Sequence, residues 1–420
     1  MKGILLVNEG LEEYTITDIK EILYSDVKIS DSKISGAKAH NAKTHDIKAH
    51  DIKKIDVAPG ILMFDVKNYD MLCKYAYASH IASRVLLNIY YEKNIEAITK
   101  IISDCEIPND IAAIISKDLK EMKNIVPKSR FRVSVINKST DVIDSQSLEK
   151  TFGILISDII KDVTVDLKNP EVIFYVIITD QSINLALDFS GDLSKRDYRI
   201  FNSPMSIKGT TAYGLLKIAE YKKGESLLDP YCNSGTIAIE AALYSNNISH
   251  KHYDKNQPFT RLKIFDEKKL EEFFKKQEKE MTSLKEITAA DPLLKNVTAA
   301  QKNAKIAGVE KMIRFRRIDI DWMDIKHEEK HFDKIITFLP GSSKHASEKV
   351  LEKEFKELFY QAEYILEDDG VVAVLCMSKD LLIKASDEHF RLYKEQEFYS
   401  GEQLMSVLLF KKKIIKKAKN

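Results

Sequence analysis

Apolar residues in the first part of the chain recur in short runs and at helical spacing. Residues 2–7 and 61–66 are mostly apolar and of strand length, so they predict two strands. Helical spacing predicts one helix over residues 71–88, and alternation of apolar and polar residues predicts a strand over 129–136. The remaining predicted elements are a helix that runs to residue 23, helices over 96–102 and 148–160, and a hairpin of strands 170–178 and 183–189. Residues 1–190 therefore have an α+β order.

From residue 226 onward, apolar strands alternate with helices, which is typical of a parallel sheet covered by helices. The predicted strands cover residues 226–228, 284–290, 313–316, 332–341 (with the exit of that strand), 371–377 and 404–410, and Phe398 marks the strand that pairs with the last of them. The first predicted helix begins at residue 237, and three further helices cover 267–279, 297–309 and 354–366. Residues 368–370 are predicted to form a turn. The pattern predicts an α/β domain with a seven-stranded sheet that ends in an antiparallel pair.

Residues 26–55 follow a different rule, because Lys recurs at the third position of six consecutive five-residue units. A period of five matches neither a helix face nor the alternation of a strand. His40, His45 and His50 recur in this tract, which would suit metal binding or RNA binding. A duplicated loop or hairpin insertion is the favoured interpretation, because these histidines lack a fixed set of further ligands.

The charge of the chain is balanced, since 65 Lys and Arg residues stand against 64 Asp and Glu residues for a net charge of +1. Overall charge therefore gives no support for nucleic-acid binding, and any basic surface must be local. The four cysteines have no pair at metal-ligand spacing, and no signal peptide or long apolar span is evident. We expect a reduced, cytoplasmic protein with no membrane contact and no bound metal.

The sequence Asp-Pro-Tyr-Cys-Asn-Ser-Gly-Thr at residues 229–236 follows an apolar strand and precedes an apolar helix. A strand, a tight turn and a helix N-terminus present backbone N–H groups to a ligand at the carboxyl end of a sheet. The stretch resembles motif I of class I S-adenosylmethionine-dependent methyltransferases, in the Asp-Pro-Phe-Cys-Gly-Ser-Gly-Thr form of the THUMP-containing RNA methyltransferases. Asn233 replaces the first glycine of that form, and Asn is the residue other than Gly that best tolerates a positive φ. An ordinary strand-to-helix connection is the alternative.

The resemblance extends over nearly the whole chain and implies three domains. An N-terminal ferredoxin-like α+β domain would occupy residues 1–92, with the pentad insertion at 26–55, and a THUMP RNA-binding α+β domain would occupy 93–190. A linker at 191–205 would lead to a Rossmann-like class I methyltransferase domain at 206–412, followed by a basic tail at 413–420. The similarity is greatest to the archaeal and eukaryotic tRNA (guanine-N2)-methyltransferases, which implies tRNA processing as the role.

The resemblance implies S-adenosylmethionine as the cofactor and assigns residues to its binding site. Asp291, which follows the second strand of the sheet, would accept hydrogen bonds from the ribose hydroxyls, because a carboxylate offers acceptors only. Asp319 and Ile320 would receive the adenine amine. For a lone Asp after a strand, a simple turn residue is the alternative. The full implied set is Pro204, Asp229, Pro230, Cys232, Ser234, Gly235, Thr236, Asp291, Asp319 and Ile320.

The implied partner is tRNA, bound by a chain that we expect to be a monomer. Affinity for RNA rests largely on phosphate neutralisation, which requires Lys and Arg side chains. The candidate contacts are Arg130, Arg132, Lys138, Lys195, Arg196 and Arg199. An ordinary solvated charge is the alternative for each, and for the last three it would belong to a solvated interdomain linker.

The catalytic candidates Thr337, Phe338, Leu339 and Pro340 stand at motif IV of the resembled family. That family carries Asn or Asp, which accepts a hydrogen bond from the guanine amine, where this chain has Phe338, and an aromatic residue where it has Gly341. Phe338 cannot accept that hydrogen bond, although it could stack on an extruded base while the Leu339 carbonyl accepts. Two alternatives to a guanine-N2 enzyme therefore stand, namely an RNA-binding protein without turnover and a methyltransferase for another RNA.

Overall fold

The computed structural model describes residues 1–24, 55–277, 285–339 and 347–413. The pentad tract lies outside these residues except for Ile55, and so does the basic tail from residue 414 onward. The described residues form one sheet of eight strands in the first half of the chain and one of seven strands in the second half. No helix in these ranges is both long enough and apolar enough to cross a membrane.

The first sheet combines the strands of the two predicted N-terminal units. Its strands are β1 (Lys2–Leu6), β2 (Ile55–Ala58), β3 (Ile61–Asp65), β4 (Arg84–Glu92), β5 (Ser129–Asn137), β6 (Val163–Val165), β7 (Val172–Thr179) and β8 (Ser182–Asp188). They are ordered β2-β3-β1-β4-β8-β7-β5-β6. β4 pairs antiparallel with β1 on one side and with β8 on the other. The β4–β8 pairing therefore makes one continuous sheet of both units.

Five helices pack on one face of the eight-stranded sheet. They are α1 (Glu12–Tyr24), α2 (Tyr69–Ala78), α3 (Ile95–Asp104), α4 (Asn109–Met122) and α5 (Ser145–Ile159). Their apolar sides share one core with strand residues such as Leu5, Phe64, Phe131 and Phe174. The start of α2 is fixed by Asn68, whose Oδ1 accepts a hydrogen bond from the Met71 N–H over 3.0 Å.

The helix predicted over residues 71–88 is wrong in its second half. α2 ends at Ala78, and β4 begins at Arg84 in the middle of the sheet. Val85, Leu86 and Leu87 are all buried, because an inner strand is covered on both faces. A strand buried on both faces reads as a continuous apolar run, and such a run cannot be told from a buried helix by its periodicity.

The second sheet has the seven strands that the sequence predicts. They are β9 (Leu227–Asp229), β10 (Ile287–Asp291), β11 (Ile313–Arg317), β12 (Phe332–Leu339), β13 (Leu366–Cys376), β14 (Phe390–Ser400) and β15 (Gln403–Lys412). Their order is β11-β10-β9-β12-β13-β15-β14, parallel from β11 to β13, with β15 antiparallel to both of its neighbours. The turn predicted at residues 368–370 lies inside β13, where the register against β12 shifts between Phe332 and Lys334.

Helices cover both faces of the second sheet. They are α6 (Gly209–Ile218), α7 (Thr236–Ser245), α9 (Leu294–Ile306), α10 (Met323–Lys326), α11 (Glu348–Ile365) and α12 (Lys379–Ser386), whereas α8 (Glu267–Gln277) packs Phe273 and Phe274 into the core of the first sheet. α6, α7 and α9 share one core with Ile336 and Phe338 of β12. α10, α11 and α12 share the opposite core with Ile335 and Leu339, because successive residues of a strand face opposite sides.

Buried polar contacts hold the two halves of the chain together. Glu240 of α7 is fully buried, and its carboxylate accepts hydrogen bonds from Arg196 Nε over 2.7 Å and from the Tyr198 hydroxyl over 2.8 Å. His80 Nδ1, from the segment between α2 and β4, lies 2.7 Å from the other oxygen of Glu240. Burial raises the pKa of Glu240, but Arg196 and His80 outweigh it and lower the pKa to about 2. The ionised carboxylate thus ties the linker and the N-terminal half to α7.

Candidate active site

Three carboxylates lie at one edge of the second sheet. Asp229 and Asp291 are the last residues of β9 and β10, and Asp319 follows β11 by two residues. Because β9, β10 and β11 are parallel neighbours, their carboxyl ends meet at the same edge. Asp229 and Asp291 are buried, whereas Asp319 is exposed.

The turn between β9 and α7 has left-handed backbone at two positions. Asn233 has φ 50°, which confirms that Asn adopts the positive φ expected of the glycine it replaces. Gly235 has φ 81°, and a Cβ there would lie 2.7 Å from the Cβ of Ala300 on α9. Only glycine therefore fits at residue 235, both for its backbone angle and for the close approach of α9.

Hydrogen bonds fix the orientation of Asp291. Its Oδ2 accepts from the Asn233 N–H over 3.1 Å, and its Oδ1 accepts from the Leu293 N–H over 2.9 Å and from Asn296 Nδ2 over 3.0 Å. Burial raises the pKa of Asp291 despite these hydrogen bonds. A carboxylate has about four acceptor positions, so this one still has capacity for a ligand hydroxyl.

One oxygen of Asp229 has no partner. Its Oδ1 accepts from Thr337 Oγ1 over 2.8 Å and from the Tyr231 N–H over 3.3 Å. Its Oδ2 has no hydrogen bond within the described residues, although Asp229 is only 1% exposed. Leaving a buried polar atom unpaired costs about 1–3 kcal/mol, so the geometry favours a ligand that donates to this oxygen. Burial raises the pKa of this carboxyl to about 7.

A small pocket lies beside Asp229. Its walls include Ser206 from the segment before α6, Tyr231 and Ser234 from the turn after β9, and Phe338 from β12. The Ser206 and Ser234 hydroxyls are 2.6 Å apart, which holds the segment before α6 against the turn. Cys232 and Thr236 also line this pocket, whereas Pro204 belongs to the same connecting segment as Ser206. The structure thus gathers much of the predicted cofactor set at one place.

Asn303 was not predicted to be a site residue, yet its amide holds the pocket together. It is fully buried on α9, and its Nδ2 donates to the carbonyl oxygens of Ser234 and Phe201 over 3.0 Å each. Its Oδ1 accepts from the Phe201 N–H over 3.0 Å. The signal in the sequence is an Asn among small apolar residues on the buried face of a helix, since a buried amide needs partners.

The motif IV residues fall on both sides of β12. Thr337 is fully buried and its hydroxyl positions Asp229, and Leu339 packs into the core shared with α10, α11 and α12. Phe338 is buried and its ring lines the pocket beside Asp229, where it offers no polar acceptor. Pro340 lies outside the described residues, as does Gly341.

The predicted RNA contacts occupy two separate places. Arg130 and Arg132 lie on β5 and Lys138 directly after it, and Arg130 is paired with Asp166 at 3.5 Å and Glu171 at 3.4 Å. Lys195 is exposed in the segment after β8, and Arg199, in the same segment, is half-buried.

The prediction that Arg196 contacts RNA phosphate is wrong, because this residue is inaccessible to RNA. Its side chain is fully buried, where it donates to Glu240 and to the carbonyl oxygens of Leu193 and His80. In a linker sequence, a basic residue is expected to be solvated. Arg196 is buried instead, because it pairs with the buried carboxylate of Glu240, 44 positions away.

The parallel strand order, the left-handed turn after β9 and the carboxylates at the ends of successive strands define a class I methyltransferase fold. Residues 196–405 match the family described as RMKL-like, methyltransferase domain, which spans half of the chain. The chain therefore belongs to the RMKL-like methyltransferase domain family. This confirms the predicted fold class and the predicted resemblance to class I RNA methyltransferases.

Two relatives carry a more specific name. The chain is 32% identical over 231 residues to the tRNA (guanine(6)-N2)-methyltransferase of Methanocaldococcus jannaschii, an alignment that covers 53% of this chain and 60% of that protein. It is 26% identical over 336 residues to the protein of the same name from Archaeoglobus fulgidus, covering 77% of this chain and 80% of that protein. A solved structure of a possible methylase from Clostridium difficile 630 superposes with a TM-score of 0.73 at 20% identity, covering 100% of this chain and 99% of that one, which shows the shared fold.

Proposed function

We propose that the protein is an S-adenosylmethionine-dependent tRNA methyltransferase that transfers a methyl group to the N2 atom of a guanine. The arrangement of Asp229 and Asp291 beside the left-handed turn at Asn233 carries this proposal, because it offers acceptors to a cationic, hydroxyl-bearing ligand. The names of the two archaeal relatives support tRNA and guanine N2 as the target. We place the protein in the cytoplasm, as a monomer.

The residues at the sheet edge fit the methyl donor. S-adenosylmethionine supplies a sulfonium methyl group. Asp229 Oδ2 would accept a hydrogen bond from its ammonium group, and the backbone of Ser234, Gly235 and Thr236 would face its carboxylate. Asp291 would accept from the ribose hydroxyls, and Asp319 with Ile320 would meet the adenine. Pro204, Pro230 and Cys232 would complete the walls.

The target guanine would enter beside β12. The N2 lone pair of guanine is delocalised into its ring, so reaction requires an acceptor for the amine proton and alignment with the methyl group. The Leu339 carbonyl would accept from the amine, and the Phe338 ring would stack on the extruded base.

RNA would bind through basic side chains outside the pocket. Arg130, Arg132 and Lys138 on the first sheet would contact phosphates within a THUMP domain at residues 93–190. Lys195 and Arg199 would do so from the linker at 191–205, next to the methyltransferase domain at 206–412. The ferredoxin-like domain at 1–92 would position the RNA. Each phosphate contact should add to the salt dependence of binding.

A second candidate is an RNA-binding protein without turnover. Phe338 favours it, because this ring replaces a polar acceptor at the edge of the pocket. Loss of one directed polar contact in a transition state commonly costs about 10²–10³ in rate. A methyltransferase for another RNA is a further alternative.

The test is methyl transfer to an unmodified tRNA transcript. The purified protein is incubated with methyl-labelled S-adenosylmethionine and a transcript with a G6–C67 pair, and a matched transcript carries A6–U67. If labelled N2-methylguanosine comes from the first transcript alone, the proposal is supported and the target is guanine 6, the position in the names of the two archaeal relatives. Binding of both transcripts without label would support the second candidate, and label on another nucleoside would overturn the guanine-N2 assignment.

A further inference from the structure

Three potential metal ligands meet at the edge of the second sheet opposite the candidate active site. Glu286 directly precedes β10, His331 directly precedes β12, and His327 follows α10. One ligand atom from each residue lies within 4.8 Å of the other two. Glu286 and His331 lie at the amino ends of parallel strands and His327 in the connection before β12, whereas Asp229 and Asp291 lie at the carboxyl ends.

The distances suit a four-coordinate ion. His331 Nε2 is 3.3 Å from Glu286 Oε2. Two ligands on a tetrahedral zinc ion, each with a bond of roughly 2.0–2.1 Å, are about 3.4 Å apart. His327 and His331 also have the spacing His-x₃-His, which is common among zinc ligands.

The environment of these residues supplies two independent signs of a ligand. His327 is only 8% exposed, yet its Nε2 has no hydrogen-bond partner among the described residues. Glu286 Oε1 accepts a hydrogen bond from Thr288 Oγ1 over 2.7 Å, which fixes the carboxylate as outer partners of metal ligands commonly do. A metal ion would satisfy a buried imidazole nitrogen that otherwise carries an uncompensated desolvation cost.

Arg314 is the competitor for this site. Its Nη1 lies 2.5 Å from Glu286 Oε2, and Arg316 is another positive charge near His327. The Arg314 side chain is 63% exposed on the edge strand β11, so it can turn into solvent when an ion binds. The Glu286 side chain itself is only 12% exposed, so Arg314 and an ion would compete for the same carboxylate oxygen.

We propose that Glu286, His327 and His331 form a binding site for a divalent transition metal of the zinc class. The site has three protein ligands and one open position, which water can fill. It ties the start of β10 to the α10–β12 connection at the end of the sheet far from the pocket, so its role is structural. The sequence predicts no metal, since its cysteines have no metal-ligand spacing, and these three ligands come together only in the fold.

The test is metal binding by the full chain, with any affinity tag removed and metal stripped by chelation. Zinc chloride is titrated by calorimetry, and cobalt chloride is added in parallel because the visible absorption of cobalt intensifies in four-coordinate sites. The variants are H327Q/H331Q and, separately, E286Q. Two controls accompany them: H389Q, which removes a histidine paired with Glu363 elsewhere, and H40N/H45N/H50N, which removes the histidines of the pentad tract.

We expect one zinc ion per chain, a higher melting temperature with zinc, and retention of both in the two control variants. E286Q should weaken binding by at least about tenfold, and H327Q/H331Q should abolish it while still unfolding cooperatively in metal-free buffer. If the double variant does not fold, E286Q and the cobalt spectrum of the unmodified chain decide the question. No binding at micromolar zinc, unchanged binding in E286Q, or binding lost only in H40N/H45N/H50N would overturn the proposal.

Discussion

Thr337 Oγ1 donates a hydrogen bond of 2.8 Å to Asp229 Oδ1, while Asp229 Oδ2 has no partner within the described part of the chain. The two residues are 108 positions apart, on neighbouring parallel strands, with Asp229 at the carboxyl end of β9 and Thr337 two residues before the end of β12. The hydrogen bond holds the carboxylate in one orientation and leaves its second oxygen for a ligand. The threonine thereby positions the carboxylate from the strand that also carries Phe338.

The pKa of Asp229 makes cofactor affinity depend on pH. Burial raises this pKa to about 7, and a cationic ligand binds the ionised carboxylate better than the neutral acid. The ionised fraction rises about tenfold between pH 6 and pH 8, so the affinity for S-adenosylmethionine should rise by about that factor, as calorimetry can measure. The Asp229→Asn protein should bind S-adenosylmethionine more weakly, and its affinity should not rise between pH 6 and pH 8. Any rise that remains in this variant comes from titration of S-adenosylmethionine itself. An equal rise in both proteins would remove Asp229 from the site.

Gly235 offers a test of the turn with a matched control. Gly235→Ala introduces a Cβ at φ 81° and 2.7 Å from Ala300, so it should lower the free energy of unfolding by about 1–3 kcal/mol and weaken cofactor binding. Gly224→Ala meets a similar φ of 91° but has no atom within 4 Å, so it reports backbone strain alone. Urea unfolding and calorimetry on both variants separate the two effects. A larger loss in Gly224→Ala would contradict the close approach of α9.

Arg196 should behave as a structural residue. Arg196→Met leaves the buried Glu240 carboxylate without its main partner, which should lower the free energy of unfolding by about 3–5 kcal/mol in urea. Lys195→Met, on the exposed neighbour, should change it by about 0.5 kcal/mol or less. A stable Arg196→Met protein with weakened tRNA binding would restore the original prediction for this residue.

A substitution at Phe338 should increase the rate of guanine methylation. Phe338→Asn supplies the acceptor that the pocket lacks, so the single-turnover rate of guanine methylation should rise by about tenfold or more. Affinity for S-adenosylmethionine is measured in parallel, because Phe338 lines the pocket beside Asp229 and the substitution also changes a wall of the proposed cofactor site. Phe338→Leu removes the ring without adding an acceptor and should give no gain. A fall in rate for Phe338→Asn would show that the ring itself is needed to hold the base.

Local patterns were sufficient to predict much of the fold. The alternation of residues 129–136, the hairpin of 170–189 and the strands of the second sheet appear close to where the sequence indicates them. The positive φ of Asn233 follows from the resemblance to motif I, because Asn tolerates the left-handed backbone expected of the glycine that it replaces. These features rest on contacts within a few residues or on a regular apolar period.

Features that depend on distant partners were not predictable in this way. β4 is a strand because β1 and β8 pair on either side of it, although its apolar run also fits a helix. Arg196 is buried because it pairs with the buried carboxylate of Glu240. Asp229 is oriented by Thr337, which lies on another strand.

The sequence by itself determined the alternation of strands and helices in the second half of the chain and the motif that marks the cofactor edge, because periodicity and backbone preference act locally. Only the tertiary structure decided which charges are exposed, which carboxylate oxygen lacks a partner, and which of the ten histidines stand beside a glutamate. The reason is that burial and pairing are properties of three-dimensional neighbours. Those neighbours come from strands that meet only when the two sheets form.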